Sequence, residues 1–141
     1  MPRPSISKTL RRFVIQRAQD CCEYCLLHQD DSPDTHQLDH LIAVRHKGKT
    51  NRENLACACT ECNRNKGTDF GTIEQNTGQV IFLFNPRQQH WKDHFRFEGA
   101  RIVGLTPTGN ATIELLHLND DHRLLEREML IAADRYPPKE R

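Results

Sequence analysis

Two Cys-x-x-Cys pairs constrain the fold of this chain more than any other feature of its sequence. Cys22 and Cys25 form the first pair, and Cys59 and Cys62 form the second. Two intervening residues let both sulfur atoms of a pair reach one metal ion, and two such pairs complete a tetrahedral site of four thiolates. The 33 residues between the pairs exceed the usual spacer of a zinc ribbon, so a structured segment must lie between them. The spacing therefore predicts a structural zinc site that closes a folded loop.

Other uses of cysteine fit the sequence less well. The first 18 residues contain no apolar stretch typical of a secretory signal, so we expect a cytoplasmic protein in which disulfides are disfavoured. A thioredoxin-like redox role would need a strand before the Cys-x-x-Cys motif, whereas a basic helical segment precedes Cys22. Cys21 and Cys57 lie outside the pairs. We expect them to be small buried hydrophobic residues, although either could replace a predicted ligand.

The composition is typical of a hydrophilic globular protein. The 141 residues include 20 basic and 19 acidic side chains, and 36% are hydrophobic, which suits one domain or a small module with an extension. No apolar run exceeds five residues, so the sequence argues against a membrane-spanning helix. Within residues 39–66, six basic residues face three acidic ones, which indicates either a polyanionic partner or a solvated loop.

Hydrophobic periodicity and capping residues predict an α+β fold. The elements predicted in the first half are a helix capped by Ser5 or Ser7 and ending near Ala18, strands over residues 37–44 and 54–58, and a helix over residues 61–67. Those predicted in the second half are a connection over residues 71–78, a strand over 80–84, a hairpin of 94–97 with 101–105 turning at Glu98 and Gly99, a helix from a Thr108 cap to Leu118, and a helix from Asp120 or Asp121 towards Asp134. We expect residues 1–70 to form a zinc-stapled core and residues 71–141 an extension packed on it, within one compact domain.

A histidine and three oxygen-bearing side chains lie among the cysteine pairs. His40 follows Asp39 directly, Asn54 lies 14 positions after His40, and Asn63 lies 9 positions after Asn54. His40 can act as a base near neutral pH, and Asp39 and Asn63 supply oxygen atoms. Successive side chains of a strand point to opposite faces, so Asp39 and His40 can share a pocket only if the strand ends there. Zinc at Cys62 would also fix the helix start that carries Asn63.

This segment resembles the HNH, or ββα-metal, endonuclease family. The resemblance runs over residues 22–67 and is carried by the sequence DHLIAVRHKGKTNRENLACACTECNRNKG. It implies a small ββα-metal (His-Me finger) core in which His40 is the general base and Asn54 braces the loop that holds it. It also implies that Asp39 and Asn63 bind a catalytic metal. Because these ligands are hard oxygens, Mg²⁺ or Mn²⁺ is the expected ion, beside the structural zinc.

The resemblance further implies a substrate and its contacts. Lys66 lies three residues after Asn63 on the same helical face and could contact a phosphate, and Arg64 and His46 are further candidates for contact with nucleic acid. We therefore expect a metal-dependent endonuclease that hydrolyses phosphodiester bonds in nucleic acid, with DNA as the expected substrate and no membrane partner. The rival hypothesis is a zinc-stabilised module that binds nucleic acid or protein without cutting. Such a module has no need for His40 beside two metal ligands.

Overall fold

The computed structural model describes residues 5–139, which form helices and three two-stranded antiparallel sheets. In chain order the elements are α1 (Lys8–Arg17), β1 (Gln37–His40), β2 (Leu55–Ala58), α2 (Thr60–Lys66), β3 (Gly71–Ile73), β4 (Val80–Phe82), α3 (Trp91–His94), β5 (Phe95–Glu98), β6 (Arg101–Gly104), α4 (Pro107–Leu116) and α5 (Asp121–Ala132). This mixture confirms the predicted α+β class. Over residues 5–139, none of the helices has the length and apolar character that a membrane crossing requires.

The first helix begins and ends where the sequence predicts. The Ser7 hydroxyl caps α1 by accepting a backbone amide hydrogen bond at 3.1 Å, and Ala18 is the C-cap residue. Val14, which is fully buried, packs α1 onto the sheet of β1 and β2. The buried side chains that complete this small cluster are those of Leu38, Leu55 and Cys57.

The sheet of β1 and β2 has different neighbours on its two faces. Leu38 pairs with Cys57, and both belong to the cluster beneath α1. Asp39 pairs with Ala56, which belongs to the larger core cluster that also contains the cysteine pairs. β1 ends at His40 instead of continuing to residue 44 as predicted, so the strand stops directly at the expected base.

The helix α2 carries the second cysteine pair in its first turn. Cys59 is the N-cap residue, and its sulfur accepts a hydrogen bond from the Cys62 amide at 3.4 Å. Gly67 closes the helix with a φ of +54°, a left-handed value that favours glycine, and its amide donates to the Asn63 carbonyl. The predicted helix and its glycine stop are therefore confirmed.

The second half of the chain differs from the prediction in three places. One is α3 (Trp91–His94), a short helix that was not predicted and that includes His94, which was expected in the next strand. β3 lies within residues 71–78, which were expected to form a connection, and it pairs with β4 in a hairpin. α4 is capped by Thr106 and not by Thr108, because the Thr106 hydroxyl accepts a backbone amide hydrogen bond at 3.0 Å and Pro107 fits the first turn. The hairpin of β5 and β6 is confirmed, with Gly99 in its turn at a φ of +59°.

One core cluster runs through both halves of the chain. Its buried residues include Tyr24, Leu41, Ala58, Leu83, Phe84, Phe95, Ile102, Leu116 and Leu118, together with the paired cysteines. Residues from before and after position 70 therefore share the same apolar interior. The boundary expected near residue 70 stays a prediction about the chain's organisation.

Candidate active site and zinc centre

The four paired cysteines converge on one point in the core. One sulfur from each of Cys22, Cys25, Cys59 and Cys62 lies within 4.8 Å of the others, and all four residues are buried. The sulfurs of Cys25 and Cys59 are 3.7 Å apart. A tetrahedron with Zn–S bonds of about 2.3 Å has edges of about 3.8 Å, so the cluster fits a zinc ion.

The chemistry of these thiols also suits a metal ion. Burial raises the pKa of the Cys22 and Cys62 thiols well above the ordinary value, whereas hydrogen bonds within the cluster lower the pKa of Cys25. Zinc binding therefore has to displace protons from buried sulfurs, and the folded chain has already brought those sulfurs together. Cys21 and Cys57 are buried outside the cluster, as expected.

The Asp39 carboxylate is buried and already has two partners. The Tyr24 hydroxyl donates to one of its oxygens at 2.7 Å, and the Lys66 ammonium lies 3.2 Å from both oxygens. Burial raises the pKa of the Asp39 carboxyl, and the charge of Lys66 opposes that rise. Tyr24 stands inside the first cysteine pair and Lys66 ends α2, so both zinc-bearing segments hold this carboxylate.

Lys66 does not occupy the position that the sequence suggests for it. Its side chain is only 3% exposed, and its ammonium also donates to the His40 carbonyl at 3.1 Å. In this arrangement Lys66 faces the interior and joins the Asp39 side chain to the His40 backbone, and its contact with a phosphate stays a prediction. Lys66 lies on the face of α2 that packs against the sheet, and that face is turned away from solvent.

His40 is half-buried at the end of β1. Its Nε2 atom lies 2.9 Å from the Thr50 Oγ1 atom, across the loop that leaves the strand. This contact sets the orientation of the imidazole ring. Thr50 was not identified from the sequence, because a threonine at the end of a polar loop carries no recognisable signal.

Asn54 joins the two ends of this loop through three hydrogen bonds. Its Oδ1 atom accepts from the Ile42 amide at 2.9 Å, and its Nδ2 atom donates to the carbonyls of Ile42 at 2.9 Å and Lys49 at 2.8 Å. A Cβ atom on Gly48 would lie 1.7 Å from the Ile42 carbonyl oxygen, so the loop closes over a glycine. The chain between His40 and Asn54 is thus tied back on itself.

Asn63 lies in the first turn of α2, and its side-chain Nδ2 atom donates to the Gln37 side-chain oxygen. At Asp39, the Lys66 ammonium occupies the position that a cation would take. The Asp39 carboxylate is thus paired with Lys66 in this arrangement, and a Mg²⁺ or Mn²⁺ ion shared by Asp39 and Asn63 stays a prediction. A divalent ion could use the Asp39 carboxylate only after Lys66 had moved away.

The remaining predicted contacts lie at the surface. His46 and Arg64 are both exposed, and the His46 ring packs edge-on against Phe70 with centroids 5.4 Å apart. The loop on either side of His46 exposes three cationic side chains, which are Arg45, Lys47 and Lys49. Positive charge is therefore concentrated on the loop that follows His40.

Comparison with known proteins identifies the class to which this arrangement corresponds. Residues 22–69 match the family model for HNH endonucleases, so the resemblance based on the motif is confirmed over that segment.

Two curated relatives then extend the comparison beyond the motif. The chain is 25% identical to Septu protein PtuB of Bacillus thuringiensis over 126 residues, which cover 88% of this chain and 46% of that protein. It is 34% identical to the CRISPR-associated endonuclease Cas9 of Corynebacterium diphtheriae over 97 residues, covering 63% of this chain and 8% of that protein. The chain thus spans less than half the length of either relative. No solved structure matches it significantly.

Proposed function

We propose that this chain is an HNH endonuclease that hydrolyses phosphodiester bonds in nucleic acid, with DNA as its substrate and His40 as its general base. The observation that carries the proposal is the position of His40, which stands at the end of β1 between two zinc-binding segments and is oriented by Thr50. The match of residues 22–69 to the HNH family model supports the same conclusion.

The contacts of His40 suggest how it would act. The proposed mechanism places the ring proton on Nε2, where the Thr50 hydroxyl oxygen accepts it, and this tautomer makes Nδ1 the basic nitrogen. Nδ1 then takes a proton from a water molecule as the water oxygen attacks phosphorus, and the bond from phosphorus to the leaving oxygen breaks. General-base catalysis of this kind contributes roughly 10²–10⁴-fold to a rate.

Surface charge supports a polyanionic substrate. Arg45, His46, Lys47 and Lys49 are exposed on the loop that follows His40, and Arg64 is exposed on α2. Cations beside a reactive group attract and position phosphates without reading base sequence. Of the three contacts expected from the sequence, His46 and Arg64 therefore remain in the proposal, and Lys66 becomes a residue that positions Asp39 and His40.

A divalent ion at Asp39 and Asn63 is a further part of the proposal. Carboxylate and amide oxygens are ligands that Mg²⁺ and Mn²⁺ prefer. Because Lys66 occupies the Asp39 carboxylate, binding of such an ion requires Lys66 to withdraw. The dependence of cutting on added Mg²⁺ or Mn²⁺ tests whether such an ion is needed.

A zinc-stabilised binding module is the second candidate function. The observation in its favour is the same ion pair, since a carboxylate neutralised by an internal lysine needs no metal ion. In that case the basic loop would still bind nucleic acid, but the chain would not cut it.

A plasmid-nicking assay distinguishes the two candidates. We expect the zinc-loaded chain to nick supercoiled plasmid in Mg²⁺ or Mn²⁺ and not in EDTA, and His40→Ala to abolish nicking with zinc content and circular dichroism unchanged. His90→Ala is the matched control, because His90 is exposed and its side chain makes no capping hydrogen bond. Nicking by His40→Ala at the wild-type rate would contradict the assignment of the base. Binding of plasmid without any cutting by the wild type would favour the binding module.

A further inference from the structure

The helix α5 is oriented against the usual rule for an amphipathic helix. Arg123 and Arg127 lie one turn apart and are buried, with 6% and 3% of their surfaces exposed. Leu125 and Met129 face outwards and are 59% and 66% exposed. Burial of a guanidinium is costly unless its charge and its hydrogen-bond donors are matched, so each arginine needs an explanation.

Within the described residues, the hydrogen-bond acceptors of Arg127 are all neutral oxygen atoms. Its Nε atom donates to the Ala100 carbonyl at 2.6 Å, and its Nη2 atom donates to the Leu118 carbonyl at 2.7 Å and to the Asn119 side-chain oxygen at 3.0 Å. Arg127 therefore ties α5 to the loops around it through ordinary hydrogen bonds.

The partners of Arg123 include the zinc-site sulfurs. Its Nη2 atom lies 3.1 Å from the Cys62 sulfur and 3.9 Å from the Cys59 sulfur. Its Nη1 atom donates to the Leu116 carbonyl at 3.0 Å, and its Nε atom is 3.7 Å from the Glu61 carboxylate. The guanidinium is thus fixed on both sides, with one edge against the second cysteine pair.

The contact between Arg123 and the sulfurs can be explained by the charge of a zinc site with four thiolates. Four thiolates around one Zn²⁺ ion carry a net charge of −2, and here that charge would be buried. A guanidinium in direct contact offsets half of it, and its N–H groups stabilise the thiolate form of the sulfurs that they reach. Arg127 is equally buried, but its hydrogen bonds within the described residues go to oxygen atoms and not to a sulfur.

We propose that Arg123 is an outer-shell residue of the zinc site, which stabilises the four-thiolate zinc complex from α5 and makes residues beyond position 70 part of that site. The proposal does not depend on nuclease activity. Loss of an outer-shell partner typically lowers metal affinity by about 10–100-fold, and we expect Arg123→Met to lower zinc affinity by that factor.

Competition with a chromophoric zinc chelator tests the proposal on the full chain. Arg127→Met is the matched control, because it removes an equally buried arginine from the same helix without touching a sulfur. We expect Arg123→Met to weaken zinc binding by the stated factor and Arg127→Met to leave it unchanged within error. Equal loss in both variants would show that only the packing of α5 matters, and no loss in Arg123→Met would also overturn the proposal.

Arg123→Lys keeps the test valid if Arg123→Met does not fold. With Co²⁺ in place of zinc, the sulfur-to-cobalt charge-transfer bands report the electron density on the thiolates. A lysine keeps the positive charge but cannot reproduce the forked N–H contacts, so we expect these bands to shift in Arg123→Lys and not in Arg127→Lys. Identical bands in all three proteins would overturn the proposal.

Discussion

At the scale of single residues, Lys66 links the two residues at the end of β1, a role that its place in the motif does not suggest. One ammonium group neutralises the Asp39 carboxylate and also binds the His40 carbonyl, so it holds the side chain of one residue and the backbone of the next. Tyr24 supports the same carboxylate from the opposite cysteine pair. The position of His40 therefore depends on contacts that reach it from both zinc-binding segments.

Removal of Lys66 should be costly for the fold. Lys66→Met leaves the Asp39 charge buried with only a tyrosine hydroxyl beside it, and we expect a loss of about 3–5 kcal/mol in the free energy of unfolding. The double variant with Asp39→Asn should recover much of this loss, because it removes the unpaired charge. Urea denaturation of the zinc-loaded proteins measures both effects. If Lys66→Met bound DNA more weakly but unfolded like the wild type, that result would instead support the phosphate contact predicted from the sequence.

The residues of the site differ in how far the sequence could predict them. The resemblance of Asp39, His40, Asn54 and Asn63 to the HNH motif selected them as candidates, and their roles stay predictions. The direction of the Lys66 side chain could not be predicted, because it depends on which face of α2 packs on the sheet. Tyr24 and Thr50 were missed because their roles arise only where separate segments meet.

At the scale of elements, the loop from β1 to β2 is the part that shapes the site. The sequence predicts a longer first strand, since apolar residues continue from Leu41 to Val44. Asn54 overrides that tendency by binding both backbone groups of Ile42, which turns the chain away from the sheet after His40. An amide side chain thus decides the length of a strand that hydrophobicity alone would extend.

Gly48 offers a direct test of how tightly this loop is closed. A Cβ atom there would lie 1.7 Å from the Ile42 carbonyl oxygen and 2.9 Å from the Asn54 amide nitrogen. We expect Gly48→Ala to destabilise the chain by about 1–3 kcal/mol through this overpacking and to reduce nicking with it. Urea denaturation and the plasmid assay measure the two effects.

Gly99→Asn is the control for Gly48→Ala. Its added Cβ meets nothing within 4 Å, and asparagine tolerates the left-handed φ of +59°. Wild-type stability in Gly48→Ala would mean that the loop opens more readily than its contacts indicate.

At the scale of the whole molecule, the zinc cluster and the shared core act together. The cysteine pairs belong to the same buried cluster as Phe84, Phe95, Ile102 and Leu116, so residues from both halves pack around the metal ligands. The cysteine spacing was enough to predict the cluster. The hydrophobic pattern of α5 was not enough to orient that helix, because Leu125 and Met129 face solvent while two arginines face the core.

Loss of one zinc ligand should therefore affect the entire chain. We expect Cys59→Ser to lose stoichiometric zinc and to lower the thermal midpoint of both halves in a single transition, because the ligands lie within the common core. Cys21→Ser is the matched control, since the Cys21 sulfur contacts the Gln19 carbonyl and lies outside the cluster. Zinc content by atomic absorption and a thermal melt followed by circular dichroism are the measurements. Two separate transitions, with only the first half affected, would contradict a common core.

The contact between Arg123 and the sulfur of Cys62 also limits which segments of this chain can be exchanged with those of a related protein. The stretch that matches the HNH family model ends at residue 69, yet the guanidinium that faces its metal ligands enters from α5, far along the chain. The zinc site within residues 22–69 therefore depends on a side chain from outside that segment. A chimera that moved only these residues would leave the buried thiolates without the Arg123 guanidinium, so an exchange between relatives should take residues 22–69 and α5 from the same parent.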